Sequence, residues 1–129
     1  MTASNKIVII DDEAPIRMLL EQTLEDFEDE GVDLLFAENG KEGLDLVLQE
    51  NPKLVFCDVM MPIMNGYEVC EQIKKASSLS GIYFVLLTAK GQEADKKKGE
   101  AVGADLYMTK PFDPDRVIEI AERILGIQI

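Results

Sequence analysis

The sequence predicts an α/β protein built on a mostly parallel sheet, and three observations carry that prediction. Short apolar runs (Ile7 to Ile10, Val32 to Ala37, Leu54 to Cys57, Ile82 to Thr88 and Leu106 to Met108) alternate with longer amphipathic segments, the pattern of successive β-α units. Several of the amphipathic segments open on residues that cap helices. No linker, repeat or low-complexity stretch interrupts this order, so residues 1–129 read as one domain, long enough to bury a real core.

After the first run, Ile16, Leu19, Leu20, Leu24 and Phe27 recur at helical spacing, and Pro15 suits a first helical turn, where no backbone hydrogen bond is lost. The second helix is predicted to start at Asn39, with Glu42 three residues on as its capping-box partner. The third starts near Asn65 and buries Val69, Cys70 and Ile73. The fourth, around Gln92 to Val102, differs from the rest. Its apolar anchors Ala94, Ala101 and Val102 are few and small, and Gly99 costs about 1 kcal/mol relative to alanine. With so little apolar area to bury, this helix is expected to be among the less stable elements and able to shift. Its Lys96-Lys97-Lys98 run is either a solvated face or a contact patch on an otherwise acidic protein. The fifth helix has Asp113 as N-cap and Pro114 at its first position, then Val117, Ile120, Ala121, Ile124 and Leu125 on one stripe. Ile118 falls off that stripe, as a scattered surface residue or as an exposed contact for self-association.

Composition narrows the function. With 13 basic and 25 acidic residues, the net charge is −12, which repels nucleic-acid phosphates and anionic membranes. Basic protein surfaces or cations are the natural counterparts. The two cysteines, Cys57 and Cys70, indicate no disulfide framework and read as small buried apolar residues. The absence of histidine removes imidazole metal ligands, general bases and a phosphohistidine donor role. No apolar stretch approaches membrane-spanning length and the first six residues lack a signal-peptide core, so a cytoplasmic location is expected.

Three carboxylates sit where predicted strands end: Asp11 and Asp12 after the first run, and Asp58 after the third. Like charges grouped this way are unfavourable unless something positive lies among them. In an open α/β sheet the carboxyl ends of the strands are where ligands bind, and a hard cation such as Mg²⁺ takes carboxylates together with waters and phosphate oxygens. Taken alone, the same residues serve equally well as a helix cap (Asp12) and solvated loop acids (Asp11 and Asp58). Two further strand ends shift the balance. The fourth run ends in Thr88-Ala89 and the fifth leads into Lys110-Pro111. Acids, a hydroxyl and an ammonium converging on one volume suit phosphoryl transfer to a carboxylate nucleophile.

These residues fall into four linked motifs: Ile9-Ile10-Asp11-Asp12-Glu13, Cys57-Asp58-Val59-Met60-Met61-Pro62-Ile63-Met64-Asn65-Gly66, Leu87-Thr88-Ala89, and Gly103-Ala104-Asp105-Leu106-Tyr107-Met108-Thr109-Lys110-Pro111-Phe112. Together they resemble the receiver domain of two-component response regulators, in particular a single receiver like that of chemotaxis regulators, and the resemblance covers essentially the whole chain. It implies a flavodoxin-like, doubly wound, five-stranded parallel sheet with strand order 2-1-3-4-5 and helices on both faces. It implies that Asp58 is the phosphoacceptor, charged from a phosphohistidine on a sensor histidine kinase or phosphotransfer protein. Asp11 and Asp12 match the Mg²⁺-binding acids, with Asp58 and the backbone carbonyl of Met60 completing the metal set. Thr88 matches the switch hydroxyl, Lys110 the lysine that pairs with the phosphoryl group, and Tyr107 the aromatic switch residue, expected to turn inward when Thr88 moves. Lys110-Pro111 matches a cis peptide that aims the lysine back at Asp58, and Pro62 and Gly66 mark the tight loop after the acceptor.

The added phosphate charge is expected to draw in Thr88 and Lys110 and to shift the fourth helix and fifth strand. The face of helix 4, strand 5 and helix 5 is then the signalling surface toward a downstream target, an output domain or a second copy in a homodimer. No direct contact with nucleic acid or membrane is expected. Met60 and Lys90 occupy places that vary in such receivers and tune phosphoryl lifetime; methionine cannot orient a hydrolytic water, so slow autodephosphorylation is expected. The chain ends soon after the fifth helix, as a stand-alone regulator or a receiver from a longer protein. A haloacid-dehalogenase-type phosphatase would carry its nucleophile after strand one in an Asp-x-Asp pattern, and here those acids are adjacent. A flavin module would need a hydroxyl-rich loop in place of Asp11-Asp12-Glu13, and a dinucleotide-binding domain its glycine fingerprint.

Overall fold

A computed structural model describes residues 5–89 and 94–129. Five strands and five helices alternate along the chain: β1 (Lys6–Ile10), α1 (Ala14–Glu28), β2 (Asp33–Ala37), α2 (Gly40–Glu50), β3 (Leu54–Asp58), α3 (Gly66–Lys75), β4 (Tyr83–Ala89), α4 (Ala94–Ala101), β5 (Leu106–Lys110) and α5 (Pro114–Leu125). All strand pairs are parallel and their order is β2-β1-β3-β4-β5, as expected. The first half of the chain builds outward from β1 to one edge. The second half starts on the other side of β1, so the chain reverses between β1 and β3, where the site lies.

Side chains of a strand alternate between faces, and each face carries its own core. Ile7 and Ile9 of β1, Leu54 and Phe56 of β3, and Val85 and Leu87 of β4 pack with Leu20, Leu24 and Phe27 of α1 and Val117, Ile120 and Ala121 of α5. On the opposite face Val8, Ile10, Val55, Cys57, Phe84 and Leu86 pack with Val47 of α2 and Val69, Cys70 and Ile73 of α3. Both cysteines are buried and free.

Helix starts follow the sequence in part. Asn65 caps α3 through a complete capping box with Glu68. Asp113 caps α5, accepting from the Asp115 N–H at 3.0 Å, with Pro114 in the first turn. At α2 the Asn39 side chain accepts from the Glu42 N–H at 2.8 Å, but the Glu42 carboxylate reaches the Glu38 N–H at 3.4 Å, so the expected box is half made. At α1 the N-cap is Glu13, not Asp12, and its side chain makes no cap bond. That departure leaves Asp12 for other work.

One expectation about the second half is corrected and another is extended. Ile118 is half-buried against the α1–α5 core. The apolar arc of α5 is wider than the stripe read from the sequence because Ile118 closes on the same cluster, as does Ile127 just past the helix. Gly99 is more than a weak helix residue: it is buried, and a Cβ built on it would lie 3.1 Å from Tyr107 Cδ2 and 3.2 Å from Leu86 Cδ1. The glycine lets α4 settle close over the β5 tyrosine. The expected helix start at Gln92, together with Lys90, lies outside the described residues, and the side chain of Lys96 is likewise undescribed.

Candidate functional site: an acidic cluster at the carboxyl ends of β1 and β3

Each member of the site is delivered by a strand end. Asp11 follows β1 directly, and its N–H donates to the carbonyl of Ala37 at the end of β2 at 3.1 Å. Asp58 is the last residue of β3 and pairs in register with Leu87, one residue before Thr88. Lys110 ends β5 opposite Ala89, and the peptide bond that follows it, to Pro111, is cis. The sheet order therefore gathers residues from both ends of the chain on one side of the molecule.

Asp11 and Asp58 are buried where solvated acids would be exposed, while Asp12 and Glu13 stay exposed beside them. Asp11 is 0% exposed, Asp58 4% and Thr88 1%. Carboxylate oxygens of Asp11, Asp12, Glu13 and Asp58 all lie within 4.8 Å of one another. Lys110 Nζ stands among them, 2.9 Å from Asp11 Oδ2, 3.1 Å from Asp58 Oδ1 and 3.8 Å from Glu13 Oε1. Asp11 Oδ1 accepts from the Glu13 N–H at 2.9 Å, which turns the other oxygen toward the cluster.

Electrostatics follow from this burial. Loss of hydration, with the Asp11 charge added, pushes Asp58 from its ordinary 3.8 up to about 6, against the opposing pull of Lys110. Asp11 is also raised, mainly by burial, while the Glu13 N–H and Lys110 act the other way. For Lys110 burial disfavours the charge, but its contacts with Asp11 and Asp58 outweigh burial and hold the ammonium above its ordinary value. Burial and the neighbouring Asp58 keep the Cys57 thiol well above its ordinary range, so it is inert.

Among the described residues one ammonium thus faces a cluster of four carboxylates, an imbalance that a divalent cation would relieve. Asp11 Oδ2 is buried and has no aligned hydrogen bond, its contact being the Lys110 charge. An all-oxygen donor set with such an oxygen fits Mg²⁺. Asp12, Asp58, Met60, Ala89 and Lys110 line an open cleft of about 390 Å³ over the cluster. The Met60 side chain is 65% exposed at its rim.

The structure brings together Asp11, Asp12, Asp58 and Lys110, with Met60 at the rim and Thr88 buried one residue past the partner of Asp58. Tyr107 lies apart from them, half-buried against the α2–α3 side of the sheet. The loop from Asp58 to α3 is tight. A Cβ on Gly66 would collide with the Asp58 carbonyl, and Ile63 takes the left-handed φ of 72°, unusual for a β-branched residue. Sequence reading did not single out Glu13, although it adjoins the acidic pair. It also passed over Arg17, whose Nη1 donates to the Asp11 carbonyl at 2.7 Å; its place one helical turn after Glu13 was the available signal.

Comparison with known proteins agrees with this geometry. The family model for the response regulator receiver domain matches residues 7–122. A probable transcriptional regulator, ycf27, of Porphyra purpurea is 42% identical over 122 residues, covering 95% of this chain and 46% of the relative. A second, ycf29 of Pyropia yezoensis, is 35% identical over 123 residues, covering 95% of this chain and 54% of the relative. The chain spans about half the length of these relatives. Among solved structures, the chemotaxis protein CheY4 of Vibrio cholerae is 29% identical with a TM-score of 0.81, covering 95% of this chain and 99% of that one. A CheY-like receiver domain protein of Methanospirillum hungatei is 28% identical with a TM-score of 0.83, covering 95% and 94%. By its fold, its strand-end acids and these matches, the chain belongs to the response regulator receiver domain family.

Proposed function

We propose that residues 1–129 form one receiver domain that takes a phosphoryl group onto Asp58 and signals through the face of α4, β5 and α5. The observation that carries this reading is the Lys110 ammonium held between the buried carboxylates of Asp11 and Asp58. An acceptor carboxylate must be ionised to attack, and a value raised only to about 6 leaves Asp58 mostly ionised at neutral pH. A carboxylate oxygen of Asp58 forms the new bond to phosphorus. The bond from phosphorus to the donor nitrogen breaks, and its electron pair returns to the imidazole of a phosphohistidine on a sensor kinase or phosphotransfer protein. Asp11, Asp12, Asp58 and the backbone carbonyl of Met60 are the groups that would hold Mg²⁺, which when bound neutralises charge on the transferred phosphoryl oxygens. Lys110 pairs with the phosphoryl group and the Thr88 hydroxyl donates a hydrogen bond to it.

Thr88 is buried at the end of β4, and Tyr107 lies on the adjacent β5 under α4. Movement of the threonine toward the phosphate would free space for the tyrosine and shift α4, whose apolar anchors are small. The α4, β5 and α5 face then engages a downstream protein, an output domain or a second copy. We place this switch in the cytoplasm, in keeping with the response regulators to which the chain is related; among the described residues no helix is long and apolar enough to cross a membrane. Incubation with Mg²⁺ and acetyl phosphate, followed by intact-mass measurement, tests the acceptor. Wild type gains the mass of one phosphoryl group and Asp58→Ala does not. No adduct on wild type, or an equal adduct on the variant, refutes the assignment.

A further inference from the structure

Each polar group of Asp11 faces a named neighbour. Its N–H donates to the Ala37 carbonyl, Oδ1 accepts from the Glu13 N–H and Oδ2 meets Lys110. The remaining group, its backbone carbonyl, accepts from Arg17 Nη1 at 2.7 Å. The Arg17 side chain is 18% exposed, and its Nη2 lies 3.4 Å from Glu38 Oε1 just past β2. The planar guanidinium thus spans the turns that follow β1 and β2, a reach for which its fixed fork is suited.

A peptide unit is planar, so a carbonyl held at one end orients the N–H and Cα at the other. The unit whose oxygen Arg17 holds leads into Asp12. We propose that Arg17 is a positioning residue for the divalent-cation site: by holding the Asp11–Asp12 peptide it keeps the Asp12 carboxylate in the cluster with Asp11 and Asp58. This rests on the metal site proposed above. Charge alone argues the other way. A guanidinium beside a cation site repels the cation, so a purely coulombic role predicts tighter binding once Arg17 is removed. Positioning predicts weaker binding, as loss of a group that orients metal ligands commonly costs 10- to 100-fold in affinity.

The test is Mg²⁺ titration of wild type, Arg17→Met and Arg17→Lys by isothermal calorimetry, with urea unfolding of each protein in EDTA alongside. Methionine keeps an apolar stem without a donor; lysine keeps the charge and a donor but cannot span both turns. The expected result is Mg²⁺ affinity about tenfold weaker in Arg17→Met and about threefold weaker in Arg17→Lys. Unchanged or tighter affinity in Arg17→Met overturns the positioning role and leaves the metal site standing, even if the urea midpoint falls. If Arg17→Met does not fold, Arg17→Lys decides by the same criterion. Absence of saturable Mg²⁺ binding by wild type overturns the metal site and this inference together.

Discussion

Replacing Asp58 by asparagine in the metal-free protein should stabilise it at neutral pH and do little in acid. The carboxyl is raised from 3.8 to about 6 in the folded chain, chiefly by burial and by Asp11. Between those two values the folded state keeps a proton that the unfolded state has released, so stability falls as pH rises through that window. A rise from 3.8 to about 6, at about 1.4 kcal/mol for each whole step, amounts to ~3 kcal/mol at full strength. The cleft is open to solvent on one side, which reduces the figure to ~1–2 kcal/mol. Asparagine carries no such penalty and still accepts a hydrogen bond from Lys110. Thermal unfolding in EDTA at pH 7.5 should therefore show Asp58→Asn melting roughly 3–8 °C above wild type. The gap should narrow toward pH 4, where the folded carboxyl is protonated and the unfolded one is close to its ordinary 3.8. Adding Mg²⁺ at ten times its dissociation constant should raise wild type by ~1.4 kcal/mol and the variant by less. A variant that melts at or below wild type at pH 7.5, or a gap of constant size from pH 4 to 7.5, would refute the reasoning.

Two further outcomes follow from residues near the site. Gly99→Ala gains about 1 kcal/mol of helix propensity, but the new methyl meets Tyr107 and Leu86 at 3.1–3.2 Å and must displace them by a few tenths of an ångström. Net stability should change by less than ~1 kcal/mol while the Tyr107 ring proton shifts move in NMR spectra; a full propensity gain with an unmoved ring would contradict the packing described. Met60→Asn places a polar group at the rim of the cleft, able to orient water toward the acyl phosphate. Loss of phosphate, followed by intact mass after removal of acetyl phosphate, should be roughly 3- to 10-fold faster than in wild type, and equal or slower loss would defeat the expected role of Met60.

The fold and much of the candidate site could be read along the chain because their signals are local. A strand followed by acids, a hydroxyl or a lysine shows in the linear pattern, since each group needs only a short offset from its strand. Caps at Asn65 and Asp113 were legible for the same reason: a cap bond closes within a few residues. The cap at α1 was open to misreading because Asp12 and Glu13 are equally near the helix start, and the structure puts Glu13 there. Glu42 was read one residue off in its partner, since a flexible carboxylate can reach either of two adjacent N–H groups.

Other properties depended on side chains brought in from distant segments. Asp11 could have been a solvated loop acid; that it is fully buried follows from β2 and β3 flanking the end of β1 and from the Lys110 side chain reaching it from β5. The raised Asp58 and the shared Lys110 follow from that burial, because removing water strengthens charge effects that no sequence offset encodes. Gly99 was legible as a helix weakness, yet its use depends on Tyr107 and Leu86 from two other strands. Residue types and their order along the chain determine which groups reach the strand ends. Strand order, register and burial decide which of them share one charge, because those distances are set by packing across the sheet.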